Sequence, residues 1–285
     1  MKREAAPTLG RQFAAIGGLE AAEVLRSRWF LFAFALYTLL AGVFVLVGLR
    51  ESVVLGFTGM GRVLFSFCHA LVALLPLLAL TATGQTLAAA REGGTLELLF
   101  SHPLSRLAYF ASVSLARVAV LVAPLVLLLG AMTLYGRLVF HQAVDWGFLL
   151  RSLGISLSLI LCFTGIGMLI AAHVRSQARA MIWILGTWAA TIALMDFGLV
   201  GLMLQWRLSP QSVFALAALN PVQDARMALL SAADPELSTL GPVGFFLAHR
   251  LGGGFLLLLG LTWPTVLGLL CWGLGYRRFR DSDLV

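Results

Sequence analysis

Apolar residues run along this chain in long blocks, without the period of a helix or strand that has one wet face. Residues 29–49, 63–84, 152–173 and 251–276 carry no Asp, Glu, Lys or Arg. Two further blocks hold one ion each, Arg117 within 109–136 and Asp196 within 180–206. An apolar run of about 20 residues crosses the hydrocarbon core as a helix, because lipid gives backbone N–H and C=O groups no partner outside the segment. The pattern predicts six transmembrane helices at those positions in an all-α polytopic membrane protein. Residues 1–285 form one transmembrane domain. The first block is longer than the apolar core of a signal peptide and ends without a small-residue cleavage site.

The polar stretches have patterns of their own. Residues 11–28 set Phe13, Ile16, Val24 and Leu25 against Arg11, Glu20, Glu23 and Arg26, which predicts an amphipathic helix lying in the headgroup plane. Two connections are longer than a turn requires, 85–108 and 207–250, and long ordered loops are commonly functional. In the first, Gly93-Gly94 interrupts the helical run and Pro103 forbids its continuation. Between them, within 93–102, a short helix places Leu96, Leu99 and Phe100 at i, i+3 and i+4 on one face. With Glu92 and Glu97 as its acids, it suits a partner's groove, or alternatively folds back on the bundle. In the second, Ser209-Pro210 starts a helix. Asn220-Pro221 closes the apolar run 213–219, and a second helix at 222–232 stops before Asp234-Pro235.

Composition narrows the class. The 285 residues are 60% hydrophobic and 12% charged, against about half and about a quarter in soluble domains. A soluble enzyme, a disordered chain and a disulfide-stapled secreted domain are excluded. The net charge of +7 comes from scattered arginines, which suits anionic lipid headgroups and not nucleic acid. With the N-terminus inside, thirteen of the twenty cations fall on the inner side, from Lys2 and Arg3 to Arg277, Arg278 and Arg280. That bias puts both termini in the cytoplasm.

Catalytic chemistry finds no footing. Cys68, Cys162 and Cys271 sit singly in apolar blocks, and the five histidines show no metal-ligand spacing. There is no H-E-x-x-H and no G-x-S-x-G motif. The single lysine, Lys2, cannot serve a phosphate-binding G-x-x-x-x-G-K-[ST] loop, so any ATP site belongs to another polypeptide. Polar groups inside membrane spans are functional candidates. At 1.5 Å per residue Asp196 lies roughly 24 Å up from the inner boundary, and His69 about 9 Å below the outer one. At that shared depth they could pair or line a pathway. An ion-coupled secondary transporter using Asp196 and His69 is the alternative reading, but broken helices and inverted halves are not evident.

The run Glu92-Gly93-Gly94-Thr95-Leu96-Glu97-Leu98-Leu99, followed by Ser101-His102-Pro103-Leu104-Ser105-Arg106, resembles the first cytoplasmic loop of ABC-2 type transporter permeases. The likeness extends to Arg26-Ser27-Arg28-Trp29 before the first span and Arg277-Arg278-Phe279-Arg280-Asp281 after the last. It implies that 93–102 is a coupling helix between the second and third spans, seated in a cleft of a cytoplasmic ABC ATPase. Glu92, Gly94, Thr95, Leu96, Glu97, Leu99, Pro103 and Arg106 would form that contact, and the 11–28 helix would be an interfacial elbow. It further implies two permease copies with two ATPases, ATP and Mg bound by the partner, no cofactor in this chain, and a bacterial or archaeal cytoplasmic membrane. The short helices of 207–250, between the fifth and sixth spans, would gate the outer mouth or meet a periplasmic accessory protein through Asn220, Pro221, Asp224 and Arg226. Asn220-Pro221 with Asp224 and Arg226 is most similar to one subgroup, the permease of the transporter that helps mature nitrous oxide reductase. The implied cargo is a sulfur or copper species for metal-centre assembly, although no Met or Cys ladder marks a copper path.

Overall fold

The computed structural model describes residues 31–43, 60–102, 104–140, 145–194, 210–233 and 252–282, with the single positions Gly10, Gly17, Gly18, Ala22 and Gly198. The interfacial helix expected at 11–28 (those glycines and Ala22 apart), Pro103, Asp196 and residues 234–250 lie outside the described residues. Every described element is helical. In chain order they are α1 (Leu31–Val43), α2 (Met60–Gly84), α3 (Thr86–Glu92), α4 (Thr95–Phe100), α5 (Arg106–Phe140), α6 (Trp146–His173) and α7 (Gln177–Ala189). A π turn, Ala190–Leu194, continues α7, and α8 (Pro210–Ala217), α9 (Pro221–Ala233) and α10 (Gly252–Asp281) follow.

Four of these stretches are long and apolar enough to cross a membrane: Ser66–Glu92, Arg106–Leu138, Trp146–His173 and Gly252–Asp281. The other two predicted spans are described only in part, as the apolar helix Leu31–Val43 and as α7 with its π turn. Helix ends follow capping more than hydropathy. α6 begins at Trp146, ahead of the predicted 152, because Asp145 accepts a hydrogen bond from Phe148 N–H at 2.9 Å. α5 begins at Arg106, not 109, because Ser105 Oγ accepts from Ala108 N–H at 2.9 Å. Pro76, Pro124 and Pro264 all lie inside helices, which long helices packed among neighbours tolerate.

α6 is the centre of the bundle, packed chiefly on α10 and α2. Its crossing with α10 is backbone against backbone. Gly260, Pro264 and Gly268, spaced by four, form the buried stripe of α10. A Cβ on Gly268 would stand 2.6 Å from Cys162 Cα and Leu161 O, so only glycine permits this approach. Small residues at helix interfaces let membrane helices gain dispersion contacts that lipid tails would otherwise provide. Polar groups tie the same seam, with Ser158 Oγ donating to Leu261 O at 2.8 Å. α1 lays Ala33, Tyr37 and Ala41 on the core and leaves Leu31 and Leu39 exposed, as α5 leaves Leu127 and α10 leaves Leu258. Outward leucines of this kind suit a lipid surround.

Candidate functional site

At one end of the bundle α3 and α4 make a short elbow. Gly93 N–H bonds to Ala89 O at 2.9 Å and Gly94 N–H to Arg91 O at 3.0 Å, which ends α3. Gly94 then takes φ +67°, the left-handed conformation that L side chains avoid. α4 starts at once and is closed by Ser101 N–H on Glu97 O at 3.0 Å.

The apolar face of α4 points into the bundle. Leu96 is fully buried, and Leu99 and Phe100 pack with it on a second core of Leu87, Phe110, Met168 and Phe279. Phe100 lies 5.7 Å from Tyr109 and 6.2 Å from Phe279, centroid to centroid. The alternative of a loop folded back on the bundle describes this face, because the bundle offers it an apolar floor. What α4 presents outward is Thr95, Glu97, Leu98 and Ser101. Leu98, 71% exposed, is an apolar side chain with no covering neighbour among the described residues. Sequence reading passed over it because it stands off the i, i+3, i+4 stripe.

The other residues expected in this contact brace the elbow. Glu92 accepts from Gln177 N at 3.1 Å and from Gln177 Nε2 at 2.6 Å, tying the end of α3 to the start of α7. Arg106 donates to the carbonyls of Phe279 (3.3 Å), Arg280 and Ser282 (3.0 Å), closing the end of α10. Four C=O groups are orphaned at a helix end, and a guanidinium there also meets the negative pole of the helix dipole. Arg91 donates to Val174 O at 3.4 Å. The elbow is thus held to the last turns of α6 and α10 and the first of α7.

Away from the elbow, α8 and α9 lie against the side of the bundle. Gly260 carries the close approach, since a Cβ there would meet Ala228 Cβ at 2.6 Å and Asp224 O at 2.9 Å. Trp263 Nε1 donates to Leu219 O at 3.4 Å. Gly260 and Trp263 lie eight and eleven residues into α10, or about 12 and 16 Å from its start. The α8–α9 hairpin therefore re-enters the bundle. Asn220 caps α9, accepting from Val222 N–H at 2.9 Å, and donates its amide to Thr191 O in the π turn at 2.5 Å. Pro221 is buried behind it and Arg226 is half-buried. Asn220 and Asp224 are 2% and 1% exposed, so neither presents a side chain to a protein arriving from outside. Neither Asp224 carboxylate oxygen has a hydrogen-bond partner among the described residues. His69 is exposed on α2, and its expected companion Asp196 is not among the described residues. No three His, Cys, Asp or Glu side chains among those residues are grouped to hold a metal ion.

Comparison with known proteins completes the picture. A family model described as ABC-2 family transporter protein matches residues 14–284. The chain is 26% identical over 265 residues to the probable ABC transporter permease protein NosY of Stutzerimonas stutzeri, covering 91% of this chain and 96% of that one. It is 28% identical over 221 residues to the protein of the same description in Pseudomonas aeruginosa, covering 75% and 80%.

Proposed function

The chain belongs to the ABC-2 family of transporter proteins, and on that premise we propose that it is the permease subunit of an ATP-driven transporter whose ATPase is a separate cytoplasmic chain. α4 is its coupling helix. The observation that carries this is the inverted α4, rooted on the bundle through Leu96 and Phe100 and turning Glu97 and Leu98 outward. A short helix anchored on several spans, with one acid and one leucine free, fits a shallow cleft and transmits its push to the bundle.

In this reading six spans cross a prokaryotic cytoplasmic membrane, the α4 end and both termini lie inside, and the 11–28 helix rests on the inner leaflet. Two copies assemble with two ATPases, which bind ATP and Mg. The α8–α9 hairpin gates the outer mouth, where an accessory protein can meet the complex. The likeness of Asn220-Pro221, Asp224 and Arg226 to the nitrous oxide reductase maturation permease supports a sulfur or copper species as the proposed cargo.

Co-expression with the ATPase tests the core of the proposal. Leu98→Asp and Glu97→Arg each reduce the ATPase recovered with the tagged chain by about tenfold, the effect of roughly 1.4 kcal/mol. Leu107→Asp, which changes an exposed leucine outside α4, leaves recovery unchanged. Equal recovery with all three variants rejects α4 as the dock.

A further inference from the structure

α7 and its π turn are fastened near each end by side chains from elsewhere in the chain, with a weaker contact from Gln85 Nε2 to Met181 Sδ at 3.7 Å between them. At the start, Glu92 holds both the backbone N–H and the side-chain amide of Gln177. The first N–H groups of a helix have no partner within it, and a carboxylate there also meets the positive pole. Fourteen residues on, about 21 Å at 1.5 Å per residue, Asn220 holds the carbonyl of Thr191. That carbonyl belongs to a π turn, a geometry that departs from the regular i→i+4 ladder and recurs at functional positions.

Asn220 is also the cap of α9, through Val222 N–H on its side chain and Asp224 N–H on its carbonyl at 3.1 Å. A displacement of Thr191 is therefore delivered to the first turn of the re-entrant helix. Between the two fastenings α7 leans mainly on α2. Ile184 lies against Gly84, and Trp188 Nε1 donates to Ala73 O at 3.4 Å. Ile182 and Trp183 are largely exposed among the described residues, and lighter contacts run to α6 and α3. A helix gripped at these two points and supported mainly along one flank is set to move as a unit.

We infer that α7 is a transmission rod. Glu92 passes displacement of the α3–α4 elbow into it, and Asn220 passes that displacement on to the re-entrant hairpin. Both are positioning residues. The functional half of this inference rests on α4 being the coupling helix, and the mechanical half does not. Contact alone does not establish coupling, but coupling free energy is reciprocal between two sites, and that gives a test.

Amide hydrogen exchange is measured on the full chain in lipid nanodiscs without an ATPase, for the parent, Glu92→Ala, Asn220→Ala and the double variant. Asn220→Ala speeds exchange of the first turn of α7 about fivefold, and Glu92→Ala does the same to the first turn of α9. The double variant's unfolding midpoint falls by less than the two single shifts combined, whereas uncoupled sites this far apart add. If Glu92→Ala does not fold, Gln177→Ala, which keeps the backbone bond, takes its place with a smaller effect of the same sign at α9. Changes confined to each variant's own neighbourhood, with an additive double, overturn the rod. Failure of the coupling-helix reading shows separately in ATPase recovery and leaves the exchange result standing.

Discussion

Gly268→Ala is a demanding test of the α6–α10 seam, because it adds one methyl and nothing else. That carbon would sit 2.6 Å from Cys162 Cα and Leu161 O and 2.9 Å from Cys162 N. All three are backbone atoms, so no side chain can swing aside. Restoring ordinary contact requires the helices to part by about 1 Å, which forfeits a large share of the dispersion at every pair along the seam. Overpacking of this kind costs about 1–3 kcal/mol. The bond from Ser158 Oγ to Leu261 O starts at 2.8 Å and is lost with the same separation, adding about 1 kcal/mol. The variant should be destabilised by roughly 2–4 kcal/mol.

Gly273→Ala is the paired measurement on the same helix. A Cβ there meets nothing within 4 Å among the described residues, and alanine's helix propensity favours it by up to about 1 kcal/mol. Unfolding by sodium dodecyl sulfate titration, followed by tryptophan fluorescence, compares the two directly. The close crossing requires opposite signs. Equal stabilities for Gly268→Ala and Gly273→Ala would falsify the close crossing.

Gly94→Ala strains a left-handed turn and costs about 1 kcal/mol; ATPase recovery should fall more steeply than overall stability, as measured by co-purification beside the same titration. Asp224→Asn replaces a buried carboxyl, whose oxygens have no hydrogen-bond partner among the described residues, by a group that cannot ionise. The variant should be more stable by about 1–3 kcal/mol, and a lower unfolding midpoint would contradict this account of the site. Arg106→Met releases the carbonyls at the end of α10, so amide exchange over 279–282 should quicken about tenfold, with α6 unaffected.

Four of the spans were legible because lipid imposes one rule on long stretches, and a run with few or no charges announces itself. Their ends were not, because Asp145 and Ser105 start their helices six and three residues early through one hydrogen bond each, and such residues are common in loops. The periodicity of Leu96, Leu99 and Phe100 revealed a face without saying what would cover it. The floor beneath them includes Phe279, nearly two hundred positions away in the chain. Glu92 and Arg106 stood out as charges beside a family motif, yet their partners, Gln177 and the final carbonyls of α10, follow only from the tertiary fold. The four-residue spacing of Gly260, Pro264 and Gly268 was in plain view. It acquired meaning once α9 and α6 were seen to press on the two glycines.

The footing of α4 also has a history in time. Leu96 and Phe100 rest on Phe279, and Arg106 grips the turn around it. Phe279 leaves the ribosome long after α4 does. Until the last helix is threaded into the membrane, the short helix rests on Leu87, Phe110 and Met168 and lacks the Phe279 part of its floor. A chain that lacks α10 therefore cannot display the finished surface, which waits on the last helix.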